Sequence, residues 1–398
     1  MRLLSRKVLQ GEESQTLALA DKARQMRAKG IDVISLTAGE PDFPTPQHIK
    51  EAAIKAIEAN FTKYTSNQGI PDLIEAIIRK FSLENDLHFE PDQILVSTGA
   101  KQSIYNALQA ITNKGDEVVI VSPYWVSYPE MVKLVDGVPV IVPAGIKEKF
   151  IPDVRAIRRV INGKTKAIIL NSPNNPSGAV FTKSLIEELA AIVKETGVYV
   201  ISDEIYEKVI YDGRKHYCLG AMKSIRDQVI TVNGVSKAFS MTGWRIGYMG
   251  GPRDVILAAA KFQSQVTSNA NSIAQRACVA ALTGSLRDLD SMVEEFQRRR
   301  DTACSALSHI PRVDVVAPGG AFYIFFGIEA FLNNNHGDRR IRCSDELSTY
   351  LIEKHHVGTV PGSAFGDDSC IRISYACSTA DLEKGLQRIK TGLTELNS

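Results

Sequence analysis

The chain has 398 residues, 44% hydrophobic and 23% charged, with a formal net charge of +2. This is ordinary globular composition, too long for one small core, so a large domain with a smaller one is expected. The near-neutral balance without long charge runs excludes an electrostatic footprint for nucleic acid or an anionic membrane, and six cysteines without CxxC or zinc spacing read as reduced thiols.

The opening "MRLLSRKVLQGEESQ" lacks the apolar core of a signal peptide, and no apolar run approaches membrane-spanning length, so a cytoplasmic protein is expected. The segment "TPQHIKEAAIKAIEANF" (45–61) predicts a helix with Thr45 as N-cap, Pro46 at its first position, and Ile49, Ala53, Ile57 and Phe61 along one face. Short β-branched runs then recur at 93–97, 117–122, 138–143, 167–172, 198–202, 229–233 and 245–249. Helical patterns lie between several of them. "SLIEELAAIVKETG" (184–197) carries a capping box from Ser184 to Glu187 and a terminal glycine. Strands alternating with helices predict an α/β core, a mostly parallel sheet covered on both faces. After residue 290 the pattern changes to a long polar-faced helix (291–307), the strand-like "GGAFYIFF", a helix near 344–355 and "CIRISYA", which read as a separate α+β unit. The Asn/Gly/Arg-rich stretch between them is expected to be a mobile loop.

Ligands of open α/β sheets bind beyond the carboxyl ends of the strands, and there the sequence places its unusual chemistry. "STGAKQS" (97–103) passes from strand through Gly99 into a helix, where free N–H groups suit a phosphate. No GxGxxG and no complete P-loop occurs, which disfavours a nucleotide. Trp125 after "SP" is either core or a flat wall for a planar ring. "NSPNNPSG" is dense in amides and prolines and suggests a cis peptide before Pro176. Asp203 ends an apolar strand, where a carboxylate either caps the next element or meets a cation; Tyr206 can reach the same ligand. Lys237, in "NGVSKAFSMTGWRIGY", has apolar neighbours and is either a snorkelling surface lysine or a desolvated, nucleophilic amine. Arg245 and Arg372, at strand-like positions, are either surface-edge residues or forks for a carboxylate or phosphate.

Taken together, "AGEPDF" (38–43), "KYT" (63–65), "GAKQ", "PYWVSYPE", "NSPNNPSG", "SDEIYE", "SKAFSMTGWRIGY" and "RISYA" resemble the class I aminotransferases, pyridoxal-phosphate enzymes of the aspartate aminotransferase fold. The resemblance runs from about Thr16 to the C-terminus. It implies fold type I, with a mostly parallel seven-stranded sheet in the large domain plus a smaller α+β domain. It makes Lys237 the residue that bonds to the cofactor aldehyde and shuttles the proton, Asp203 the partner of the pyridine nitrogen, and Tyr206 and Asn175 donors to the ring hydroxyl, with Trp125 stacked on the ring. The phosphate would take N–H groups from Gly99, Ala100 and Lys101, together with Ser236, Arg245, and Tyr64 from a second subunit of a homodimer. Arg372 would clamp the substrate α-carboxylate, assisted by Asn175 and the Gly39 backbone.

One departure is Gly234, where some members of the fold place a phosphate-binding serine. The arginine by which another branch binds a distal carboxylate has no counterpart in 254–275, and Lys101 stands in the crevice instead, as in the bacterial-type branch. "SQT" (14–16), "GAKQS" and "GDDSCIRISYA" look closest to aspartate/prephenate members, with Thr16 near the substrate. The implied domains are an arm (1–14), a small domain (15–45 and 291–398) and a large one (46–290). A broad aromatic aminotransferase, a lyase of the same fold and a non-enzymatic pyridoxal-phosphate module remain as alternatives.

Overall fold

A computed structural model describes residues 15–333, 335–336 and 339–396. The expected arm 1–14 and part of the expected mobile loop lie outside them. All seven β-branched runs become strands of one sheet: β2 (Ile94–Ser97), β3 (Glu117–Ser122), β4 (Val138–Pro143), β5 (Thr165–Asn171), β6 (Tyr199–Asp203), β7 (Val229–Gly234) and β8 (Gly247–Gly250). Their order is β2-β8-β7-β6-β5-β3-β4, and only β8 runs antiparallel to its neighbours. The inner strands are buried on both faces, which is why they read as unbroken Val/Ile runs.

The helix after the first β-branched run, Ala100–Ile111, packs against Arg253–Val266 on one side of this sheet, and Lys183–Thr196 covers the other. Two predicted caps are wrong. The helix Lys183–Thr196 is capped by Thr182, whose hydroxyl accepts from the Leu185 N–H, while Ser184 sits inside the first turn and donates to Glu188. Helix Gln47–Glu58 starts after Pro46, and Thr45 spends its hydroxyl on tertiary bonds, donating to the Ser240 carbonyl and accepting from the Trp244 indole. A cap is a local option, and a better long-range partner displaced it. The buried stripe of that helix is Ile49, Ala53 and Ala56; Ile57 is 53% exposed.

The C-terminal part forms a three-stranded antiparallel sheet, β13 (Val360–Pro361), β14 (Cys370–Ser374) and β9 (Tyr323–Gly327), with β14 in the middle. Long helices Arg287–Ser308 and Thr379–Glu395 pack together beside it. Helix Gln15–Ala28 and the short strand β1 (Ile34–Ser35), paired parallel to Val357–Gly358, join the same unit. The segment "AGEPDF" is therefore tied to the C-terminal elements. Its Asp42 is gripped by both Nη1 contacts of Arg299 at 2.8 and 2.9 Å, and the guanidinium also faces the Phe43 ring.

Candidate active site

The loops past β2, β5, β6 and β7 meet the "AGEPDF" segment and β14 around a cavity of about 640 Å³. Gly39, Ala100, Lys101, Trp125, Asn175, Asp203, Tyr206, Ser236, Lys237, Arg245 and Arg372 all line it, as the sequence led one to expect. Gly99 adjoins it through its contact with Arg245. Tyr64 does not line it and is 92% exposed. Thr16 lies on helix Gln15–Ala28, and its side chain is outside the described residues.

Asp203 is 4% exposed at the end of β6. Its Oδ2 accepts from the Tyr128 hydroxyl at 2.6 Å and its Oδ1 from the Ile205 N–H at 3.2 Å. Burial lifts the acid to about 6 despite these donors. The three carboxylates of "SDEIYE" part company here. Glu204 is held by Ser202 and His216, and Glu207 by buried Lys80 and Asn85, so only Asp203 faces the cavity.

Lys237 stands in the turn after β7, its amine donating to the Gly39 carbonyl and lying 5.8 Å from the Tyr206 ring and 5.9 Å from the Phe322 ring. Desolvation brings the amine down from its ordinary 10.5 to about 8; Glu40 opposes that shift, and Arg245 and Arg372 add to it. Both readings of this lysine could be written from sequence, and the packing selects the desolvated one. Gly39 contributes its carbonyl to this contact. Tyr206 is buried, with its hydroxyl 2.8 Å from that of Tyr323.

At the other end, Gly99 caps helix Ala100–Ile111 with φ +86°, and a Cβ there would sit 2.5 Å from Arg245 Nη2. Arg245 is not in a strand; it has φ 57° ahead of β8, which bends its guanidinium back to donate to the Thr242 and Thr98 carbonyls. A guanidinium laid on a helix N-terminus repels the helix dipole and needs an anion between them. Nearby, the Lys101 amine lies 4.8 Å from the centre of the Trp125 ring, and burial plus Arg245 hold it below its usual value.

Gly234 is tightly packed: a Cβ would come within 3.1 Å of Gly247, Ile205 and the Ile246 carbonyl, so these neighbours would have to give way by a few tenths of an ångström. The glycine suits the close β7–β8 pair, where the backbone of Gly247 also closes on Ala100.

Arg372, in the middle of β14 and 2% exposed, donates from Nη1 to Asn175 Oδ1 and from Nη2 to the Thr37 carbonyl, both at 2.9 Å. Asn175 is set in turn by its N–H bond to Asn171 Oδ1, and its amide NH2 has no partner among the described residues. The expected cis bond before Pro176 is present, with two more before Pro123 and Pro173.

The donor set fits pyridoxal phosphate. A buried carboxylate wants a cation, an amine is held near neutrality, a flat indole forms one wall, and a helix N-terminus with an arginine wants a phosphate. The lining basic residues are Arg24, Arg27, Lys101, Lys237, Arg245 and Arg372, against Glu40 and Asp203, so the cavity as a whole favours anions. Sequence reasoning missed Tyr128, Tyr323, Glu40 and Thr242, the last of which donates to Glu40 Oε2 at 2.6 Å. Tyr128 lies in the first turn of helix Ser127–Leu134, just after Trp125, and no periodicity in the sequence marks any of the four.

Comparison with known proteins agrees with this geometry. A family model described as aminotransferase class I and II matches residues 31–389. The chain is 46% identical over 99% of its length, and 83% of the relative's, to a bifunctional aspartate aminotransferase and glutamate/aspartate-prephenate aminotransferase of Petunia hybrida. It is 44% identical to a probable aspartate/prephenate aminotransferase of Rickettsia bellii, covering 98% of each chain. A crystal structure of an aspartate aminotransferase from Rhizobium meliloti superposes with a TM-score of 0.96 at 41% identity, covering 99% of this chain and all of that one. The aspartate aminotransferase of Thermus thermophilus with maleate gives 0.93 at 42% identity, over 98% of this chain and all of that one. The chain belongs to the class I and II aminotransferases, enzymes that work with pyridoxal phosphate.

Proposed function

We propose that this aminotransferase moves amino groups between aspartate or glutamate and 2-oxo acids, with oxaloacetate, 2-oxoglutarate and prephenate as acceptors. The observation that carries the dicarboxylate reading is the pair of cations at two depths of one cavity, Arg372 fixed by Asn175 and Thr37 and Lys101 on a free stem over Trp125. The names of the Petunia and Rickettsia relatives, and the four-carbon dicarboxylate maleate in the Thermus structure, support it.

The bound cofactor supplies an aldehyde for Lys237 and, once its ring nitrogen is protonated, an electron sink. Asp203 keeps the proton on that nitrogen, with Tyr128 and Ile205 aiming its oxygens. Lys237 Nζ would take the proton from the substrate carbon and return it, a task suited to an amine whose pKa is lowered to about 8. Tyr206 and the Asn175 amide would hold the ring oxygen, and Trp125 would form the wall beside the ring. The N–H groups from Gly99 to Lys101, Ser236 and Arg245 hold the phosphate. Arg372 orients the α-carboxylate so that the bond to be broken faces Lys237, with Gly39 closing the other side.

The chain works as a homodimer in the cytoplasm, with Tyr64 completing the phosphate site of the second subunit; its 92% exposure and distance from its own cavity support that assignment. Residues 46–290 form the large domain, and 15–45 with 291–398 form a small domain that closes over substrate, the grip of Arg299 on Asp42 making "AGEPDF" move with it. Among the described residues no helix is long and apolar enough to cross a membrane.

The testing experiment is a half-reaction. Aspartate or glutamate converts the bound cofactor to its amine form, and oxaloacetate, 2-oxoglutarate or prephenate reverses it; absence of this cycle removes the transaminase reading in favour of a lyase. Lys101→Ala tests the distal contact. A charge-assisted contact contributes about 1.5–3 kcal/mol, so kcat/KM for aspartate and prephenate is expected to fall about ten- to a hundredfold together, while monocarboxylate phenylpyruvate is spared. Equal use of phenylpyruvate and prephenate by the unmodified enzyme identifies it as a broad aromatic aminotransferase.

A further inference from the structure

Tyr323 begins β9, next to β14, inside the strand-like "GGAFYIFF", and the sequence gives it no site role. Its ring is fully buried beneath the Arg372 guanidinium, which lies 4.4 Å from the ring centre, and its hydroxyl meets that of Tyr206 at 2.8 Å. A Cβ on Gly39 would lie 3.6 Å from the same hydroxyl, an ordinary contact, so "AGEPDF" packs directly beside it. Two buried phenols share one bond here, and each has a single proton to give.

We propose that Tyr323 is a positioning residue that acts through Tyr206, its hydroxyl donating to the Tyr206 oxygen and so fixing Tyr206 as the donor to the cofactor's ring oxygen. This rests on the pyridoxal-phosphate reading of the cavity. A hydroxyl that spends its proton on the ring oxygen can only accept from its neighbour, so the direction of the Tyr323–Tyr206 bond follows once the ring is in place. Donation to an oxygen polarises that oxygen's own O–H, and in a dry site the effect passes along the chain of bonds. Tyr206 then stabilises negative charge on the ring oxygen more strongly, and the proton held at Lys237 Nζ in the cofactor-bound enzyme is bound less tightly. Because Tyr323 pairs with Ser374 in β14, two residues from Arg372, one sheet carries both the carboxylate clamp and the donor that tunes the cofactor. The sheet's position thereby enters the electronics of the ring.

The test uses the holoenzyme of a two-by-two set: unmodified, Tyr323→Phe, Tyr206→Phe and the double variant. Phenylalanine keeps both rings, including the face under Arg372, so the fold and the α-carboxylate clamp are retained; thermal melts check this. The readout is the pH midpoint of the bound cofactor's visible absorption, which titrates with the proton at Lys237 Nζ. Tyr323→Phe is expected to raise that midpoint by about 0.3–1 unit, a two- to tenfold rise in proton affinity. In the Tyr206→Phe background the same change is expected to do nothing. An unchanged midpoint in the first comparison, or an equal shift in both backgrounds, overturns the proposal while leaving the cofactor reading intact. A protein that shows no visible absorption with added pyridoxal phosphate overturns both.

Discussion

Lys237→Ala is expected to lower turnover at least about 10⁴-fold, the largest effect of any single change in this chain. The proposed function gives the lysine two roles, bonding to the cofactor and carrying the proton at the substrate carbon, and general acid–base transfer alone is worth up to about 10⁴-fold. The fold should survive. The amine lies at the cavity wall, bonded to the Gly39 carbonyl and facing the rings of Tyr206 and Phe322, and its removal exposes no buried charge. Desolvation, which lowers the amine to about 8, also means that the substitution removes a partly desolvated ammonium from the cavity wall. Borohydride treatment of the yellow holoenzyme checks the assignment directly: the label belongs on Lys237, and a label on another lysine refutes the role given to it. Cofactor added to Lys237→Ala should bind without becoming covalently reducible.

Asp203→Asn is expected to fold and yet lose at least about a hundredfold in turnover, because an amide cannot hold a proton on the pyridine nitrogen and the sink loses its charge. The volume is unchanged; the one amide oxygen accepts from the Ile205 N–H, and the Tyr128 hydroxyl turns to accept from the amide NH2. Stability should move the other way in cofactor-free protein. The folded acid titrates near 6 against 3.8 for the free side chain, so the native state binds the extra proton between those values. Its contribution is complete below pH 3.8 and is lost as pH rises through 6, which makes the ionised form a burden of about 3 kcal/mol at pH 7. Urea melts across pH 4 to 7 should show this slope in the native sequence and a flatter one in Asp203→Asn. The opposite result, a less stable variant at pH 7, indicates that a cation already faces Asp203 without the cofactor.

These two residues were also the most legible. Asp203 ends an apolar strand and Lys237 sits among apolar residues in the turn after another, and that conflict between residue and setting marks both in one dimension, although packing had to choose between their two readings. The seven strands were legible for the same reason, since a parallel sheet covered on both faces requires near-continuous Val/Ile/Leu runs. Arg245 was half legible. Its chemistry could be named, but the left-handed turn that folds its guanidinium onto Gly99 is set by the antiparallel entry of β8, which no local pattern announces.

Caps failed where a hydroxyl had a choice. Thr45 could have capped its helix and instead ties it to the turn that carries Ser240 and Trp244, about 195 residues away in sequence. Tyr128 and Tyr323 were invisible as site residues because an aromatic inside an apolar stretch looks like core, and both are core by burial. What distinguishes them is where one oxygen points. By itself, then, the sequence determined the α/β architecture, the order of the strands' chemistry and most of the polar residues that line one cavity, because those rest on periodicity and on the cost of burying charge. Only the tertiary structure decided which carboxylate of "SDEIYE" faces the cavity, that Arg372 is held by Asn175 and Thr37, and that Tyr323 reaches Tyr206, because hydrogen-bond direction and long-range pairing depend on how separate elements pack.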